Sequence, residues 1–254
     1  MIQHGGKMEH LSERLKSTSD MFLAQVREAF GENLVTVVLY GAAARGESPA
    51  GKKIPYINYL VVIQDNSPSE LARCARFMNT WRKHLIVTPL FLRNGFISRS
   101  LDTFPLEFMD MQAAYHVLYG EDVLADIVFS RRHVRSQCER ELKGKLLHLR
   151  AEYLTLRKDK KGLMDLAYRS LATFRLVFAG ALYLKEIDIP KETGALLGAL
   201  NMTFELDDLL FKRLRAVAGG EVTVSEREAD KLFDLYVEEL DKLSLAIDAM
   251  APEL

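Results

Sequence analysis

The chain has 254 residues, of which 48% are hydrophobic and 27% charged, with a formal net charge of -1. That composition excludes a disordered chain and gives no global attraction to nucleic acid or to an anionic membrane. No apolar run approaches the roughly 20 residues that cross a bilayer, and the N-terminus lacks the apolar core of a secretory signal. Cys74 and Cys138 are far apart in helix-like stretches, which fits reduced thiols in a cytoplasmic protein. There is no HExxH, no CxxC pair and no paired-His spacing, so no zinc site is expected.

Taken in chain order, Leu11, Leu15, Phe22, Val26 and Phe30 recur at helical spacing, so residues 8–30 read as an amphipathic helix with Gly31 as its C-cap. A run of β-formers, Leu34 to Tyr40, then breaks into the small-residue turn Gly41 to Gly46. Residues 47–55 form a polar loop carrying Lys52 and Lys53, and Ile57 to Ile63 is a second apolar strand. Ser67-Pro68-Ser69-Glu70 predicts a capping box opening a helix to about Lys83, with Trp81 on its core face. Leu85 to Leu92 reads as a third strand, placed at an edge or bulge by Pro89. Residues 95–103 suggest one helical turn. Pro105 to Gly120 reads as a strand at Leu106–Met111, a turn, and a short strand or helix at Tyr115–Gly120.

From about Arg131 the period becomes helical and stays so. Leu142, Leu146, Leu149 and Tyr153 make one stripe, and Leu163, Leu166, Ala167, Leu171, Phe174, Phe178 and Leu182 a second. Lys191–Leu200 and Phe204–Val217 predict shorter helices. Ser225 and Glu228 form a capping box for a last helix striped by Ala229, Leu232, Phe233, Tyr236, Leu240, Leu243 and Ile247. The expected organisation is an α/β (α+β) domain with a mixed sheet over residues 1–130 and an all-helical bundle over 131–254.

A strand, a glycine turn, a loop and a second strand bring backbone N–H groups to a strand end, which suits a phosphate; a Gly that merely permits a tight turn gives the same pattern. Leu39-Tyr40-Gly41-Ala42-Ala43-Ala44-Arg45-Gly46, followed by Tyr56-Ile57-Asn58-Tyr59-Leu60-Val61-Val62, resembles the signature of the DNA polymerase β-like nucleotidyltransferases. That superfamily includes the aminoglycoside nucleotidyltransferases and small bacterial antitoxin-type enzymes. Its pattern is an apolar residue, Gly, Ser or Gly, then Asp-x-Asp in the next strand. The resemblance implies a nucleotidyltransferase-like sheet followed by a helical bundle. It also implies nucleotide contacts at Gly41, Ala42, Arg45, Tyr56 and Asn58, with Lys52 and Lys53 near the phosphate entry.

The departures from that pattern are chemical. Ala42 stands where the superfamily has Ser, and Tyr56 and Asn58 where it has the two aspartates that hold Mg²⁺. Two carboxylates at i and i+2 of a strand share a face, where they can gather a hard dication; a phenol and a neutral amide cannot. A third family carboxylate sits on a later strand. Glu107 is the first candidate for that catalytic position and Asp110 the second, and an enzyme that kept the activity would draw unusual metal ligands from Glu107, Asp110 or Asp65. The segment Leu118 to Asp122 also looks like one in aminoglycoside-modifying relatives, and His116 reads as a strand histidine.

The expected function is therefore a nucleotidyltransferase-fold protein without nucleotidyl transfer and without a metal site. It would bind a nucleotide, a small molecule or a partner as a regulatory module. Two alternatives stand beside it. One is an active enzyme that uses Mg²⁺ and moves a nucleoside monophosphate from a triphosphate to a hydroxyl of a small molecule or protein. The other is a scaffold that dimerises through its bundle.

Overall fold

The computed structural model describes residues 12–47 and 56–250. It divides into two compact units. The first comprises residues up to Leu101 with Glu107–Val128, and the second Asp102–Leu106 with the residues from Phe129 on.

The first unit begins with α1 (Glu13–Phe30), opened by Ser12, whose side chain accepts from the Leu15 N–H, and closed at Gly31 with φ 52°. The strands are β1 (Leu34–Tyr40), β2 (Asn58–Ile63), β3 (Leu90–Arg93) and β4 (Tyr115–Gly120), in the order β3-β2-β1-β4. β1 is antiparallel to both β2 and β4, while β3 runs parallel to β2. Val37 and Leu39 of β1 and Tyr59, Val61 and Ile63 of β2 pack with Phe22, Val26 and Phe30 of α1 and with Trp81. Strand alternation sends Val38, Tyr40, Asn58, Leu60 and Val62 to the opposite face. Phe22 stacks on Tyr59 at 3.9 Å between ring centroids, and the Tyr59 hydroxyl shares a 2.9 Å hydrogen bond with Ser19.

Burial raises the Tyr59 pKa to about 12. A phenol whose folded value lies above its unfolded value adds stability that is fully present below the unfolded pKa and fades as pH rises towards the folded one. Urea midpoints are therefore expected to fall between about pH 10 and about pH 12, by on the order of 2–3 kcal/mol from this group, with a smaller decline in Tyr59→Phe.

Several local expectations are corrected. Leu106–Met111 is not a strand but part of α6 (Pro105–Ala113). Leu106, Phe108, Met109 and Met111 are all buried, so the segment is apolar on several sides and its 3.6 period is masked. The predicted 67–83 helix is broken into α3 (Pro68–Ala72), a 3-10 turn and α4 (Met78–Lys83). Ser67 makes no capping bond from its side chain; its hydroxyl meets Asp65 and Ser69, while Glu70 is bound to Asn33 and Arg73. The third strand is shortened to β3, because Leu85 has φ 61° and Pro89 has no N–H to donate. β3 lies at the sheet edge. The turns α2 (Ala42–Arg45) and α5 (Phe96–Arg99) complete this unit.

The second unit holds α7 (Arg131–Leu156), α8 (Lys160–Leu184), α9 (Thr193–Phe204), α10 (Asp208–Ala218) and α11 (Glu226–Asp248). The reciprocal Ser225–Glu228 capping box forms, and every member of the predicted α11 stripe is buried. Asp159, Glu192 and Asp207 cap α8, α9 and α10 by accepting from backbone N–H groups. The α9 and α10 boundaries fall later than predicted, since Glu205 takes φ 53° and ends α9. The buried Tyr236 hydroxyl meets Ser170 at 2.6 Å. Cys74 and Cys138 are free and buried, and burial pushes their thiols up to about 11 and about 12. Among the described residues no helix is long and apolar enough to cross a membrane.

Candidate functional site

β1 ends at Tyr40, and the chain turns on Gly41 with φ 78° and ψ -149°. This is backbone that side-chain-bearing residues scarcely adopt. The Gly41 N–H donates to the Ala114 carbonyl at 3.3 Å, fixing the turn against the start of β4. One helical turn follows, and Gly46 with φ 73° ends it by donating back to Ala42 and Ala43. Ala43 is buried in the core, which explains a small apolar residue there. Ala42 brings a methyl where a hydroxyl would have served a phosphate.

Asn58 opens β2 directly opposite Tyr40. Its amide nitrogen lies 3.4 Å from where a β-carbon on Gly41 would stand, so these two of the expected nucleotide contacts are neighbours in space. Tyr56 precedes the strand and is 46% exposed.

Arg45 does not project freely into a phosphate site. Its Nε donates to Glu47 Oε2 at 2.9 Å and its Nη1 to Asp110 Oδ1 at 3.1 Å. The three side chains are 6%, 20% and 17% exposed respectively. Tyr40 joins this group, its hydroxyl held above its ordinary pKa by burial first and by the Asp110 charge second. Asp110, the second candidate, is thus the acid brought to the turn. Glu107 sits one helical turn earlier on α6, on a helix and not on the strand expected of a third carboxylate.

Asp65 lies beyond the opposite end of β2, whose six residues span about 20 Å, and caps Ser67 and pairs with Asn33 there. His116 pairs in the ladder with Leu39, as a strand histidine would. Asp122 of the Leu118–Asp122 segment accepts from the Tyr115 hydroxyl at 3.0 Å and from the Leu124 N–H at 3.2 Å. Lys52 and Lys53 lie outside the described residues. Sequence reasoning missed Glu47 and Tyr40. The signal for Glu47 was an acid two residues past an Arg across a glycine, a spacing that folds back into a local ion pair.

The donor set does not suit Mg²⁺. Among the described residues no three His, Cys, Asp or Glu side chains come together as a metal group, and the two carboxylates at the turn are bound by a guanidinium. Asn58 offers one neutral oxygen, and a hard dication selects charged oxygens in octahedral array.

A solved structure shares this architecture: spectinomycin adenyltransferase AAD(9) from Enterococcus faecialis, determined with ATP and spectinomycin. The TM-score is 0.51 over 91% of this chain and 100% of that one, at 11% sequence identity. The chain has a nucleotidyltransferase-like fold. No family model and no curated protein sequence matches it.

Proposed function

We propose that this nucleotidyltransferase-fold protein does not transfer nucleotides and serves as a binding or regulatory module for a nucleotide or a partner at the Gly41 turn. One observation carries the proposal. Tyr56 and Asn58 stand where the sequence resemblance would put the motif aspartates, and Glu47 and Asp110, the acids brought to the Gly41 turn, are both bound by Arg45. Fold alone does not carry an activity; the groups in the site do. What remains at the turn is suited to holding rather than reacting. The Asn58 amide can donate and accept, and the exposed Tyr56 ring offers a face on which a base can stack, an interaction worth about 1–3 kcal/mol. An active transferase using Asp110 is the less favoured reading, because that carboxylate is held by a buried cation.

The test is calorimetric titration with ATP and GTP, with Mg²⁺ and with EDTA, alongside incubation with α-labelled ATP and candidate hydroxyl acceptors. The expected result is nucleotide affinity that is the same in Mg²⁺ and EDTA, reduced at least about tenfold in Tyr56→Ala, with no label transferred. Mg²⁺-dependent label transfer that disappears in Asp110→Asn would overturn the proposal.

A further inference from the structure

α7 and α8 are neighbours joined by a short turn, and the Cys138 thiol of one meets the Val177 carbonyl of the other at 3.8 Å. Towards the connecting turn a cavity of about 350 Å³ opens between them, and every residue that lines it belongs to the second unit. Its floor is apolar: Leu149 and Phe174 are buried, and Leu156 and Leu166 half-buried. The polar side chain buried there, Ser170, is satisfied within the fold, its hydroxyl meeting the Ala167 carbonyl at 2.7 Å and the Tyr236 hydroxyl at 2.6 Å. A ligand on this floor gains apolar contact and breaks no polar bond. Leu156 closes the end at the turn, where its Cδ2 lies 3.1 Å from where a β-carbon on Gly162 would stand. From Lys145 to Leu156 the groove follows α7 for about 16 Å of helical rise.

The rim is charged, and its sign is uneven. Lys145 and His148 stand on the α7 wall and Arg169 on the α8 wall, against one acid, Asp165. Lys145 pairs with Glu141 at 3.2 Å and Arg169 with Asp165 at 3.3 Å. Both are i,i+4 pairs within one helix, open to solvent, and an arriving anion can share such cations at little cost. The connecting turn adds Arg157, Lys158 and Lys161, all exposed, while the Asp159 carboxylate accepts from the Gly162 N–H at 2.9 Å. On a chain whose net charge is -1, this end of the helix pair is a local positive field.

A long apolar trough with cations along its rim matches one kind of molecule. We propose that the α7–α8 groove binds a small monomeric amphiphile with an extended apolar body and one anionic head, such as a medium-chain carboxylate. The body lies on Leu149, Leu166 and Phe174, and the head among Lys145, His148 and Arg169. A cationic amphiphile would meet like charge at the rim, and a neutral one would leave the rim cations unanswered. No residue of the Gly41 turn takes part, so this site is additional to the binding role proposed there.

The test is calorimetric titration of the full chain with octanoate, decanoate and dodecanoate below their self-association concentrations, with decanol and decyltrimethylammonium as matched tails. Methyl resonances of the leucines locate the ligand. One saturable site is expected, about tenfold tighter for each two methylenes added, with shifts at the Leu149, Leu156 and Leu166 methyls. Decanoate should bind at least about tenfold tighter than either matched tail. Lys145→Gln with His148→Gln and Arg169→Gln, all at the rim, should erase that preference and keep the dependence on chain length. Equal binding of decyltrimethylammonium, or a preference that survives the triple variant, would overturn the inference. So would binding confined to phosphatidylglycerol vesicles, the mark of a membrane contact, or methyl shifts that follow protein concentration without ligand, the mark of an interface between copies. No nucleotide is used, so failure here leaves the ATP titration to decide the role of the Gly41 turn.

Discussion

Trp81→Ala is expected to destabilise the first unit by about 3–5 kcal/mol, the range for deleting a buried aromatic from a packed core. Trp81 is 0% exposed. Its ring lies 5.1 Å from Phe22 and 6.2 Å from Phe77, and its indole N–H donates to Gln25 Oε1 at 2.8 Å. Truncation would leave a void beneath the sheet and strand the Gln25 acceptor, so the transfer, cavity and hydrogen-bond losses all have the same sign. Urea unfolding followed by tyrosine fluorescence or circular dichroism measures the loss. Trp81→Phe separates the contributions: it keeps a ring and forfeits the hydrogen bond, and should lie much nearer wild type. An alanine variant within 1 kcal/mol of wild type, roughly the scale of a single net hydrogen bond, would mean that Trp81 does not organise this core.

Gly120→Val is expected to be at least as damaging, on the order of 4 kcal/mol or more. Gly120 ends β4 with φ 79°, and a β-carbon there would stand 2.0 Å from the Val35 carbonyl oxygen and 3.0 Å from the Thr36 α-carbon. Both are backbone atoms, so no rotamer relieves the clash, and the end of β4 must part from β1. The Thr36 hydroxyl, which donates to the Tyr119 and Glu121 carbonyls at 2.6 and 2.7 Å, would be pulled out of place as well. Hydrogen exchange should show lost protection at Thr36 and Val37 in this variant. Retained protection there would contradict the close approach.

The sequence was most informative where local chemistry and tertiary packing agreed. β1, β2 and the α11 stripe follow from uninterrupted or periodic apolar residues, and Ser225 with Glu228 capped as expected because Arg213 takes the other carboxylate oxygen of Glu228 and leaves the cap intact. Ser67 with Glu70 carried the same signal and failed, since Asn33, distant in sequence, takes Glu70. α6 was misread because burial on several sides removes the contrast from which a period is recognised. At the candidate site, β1 and β2 were legible as adjacent strands, and their pairing sets Asn58 opposite Tyr40 beside the Gly41 turn. The Arg45 fork was not, because Asp110 joins it across 65 positions and only the folded chain brings the two together. Arg45 was therefore expected to meet phosphate, and instead meets two acids.

The sheet order has a consequence for synthesis. β1 is flanked by β2 on one side and by β4 on the other. β2 follows β1 closely, but β4 emerges roughly 60 residues after β2, about 3–12 s later at ordinary translation rates. During that interval the nascent chain presents one whole edge of β1, including the apolar Val37, Val38 and Leu39, with its N–H and C=O groups unpaired. A ribosome paused between Ile63 and Gly120 would hold an adhesive strand edge. Nascent chains of that length are the ones expected to be captured by holdase chaperones, while chains extending past Gly120 should be released.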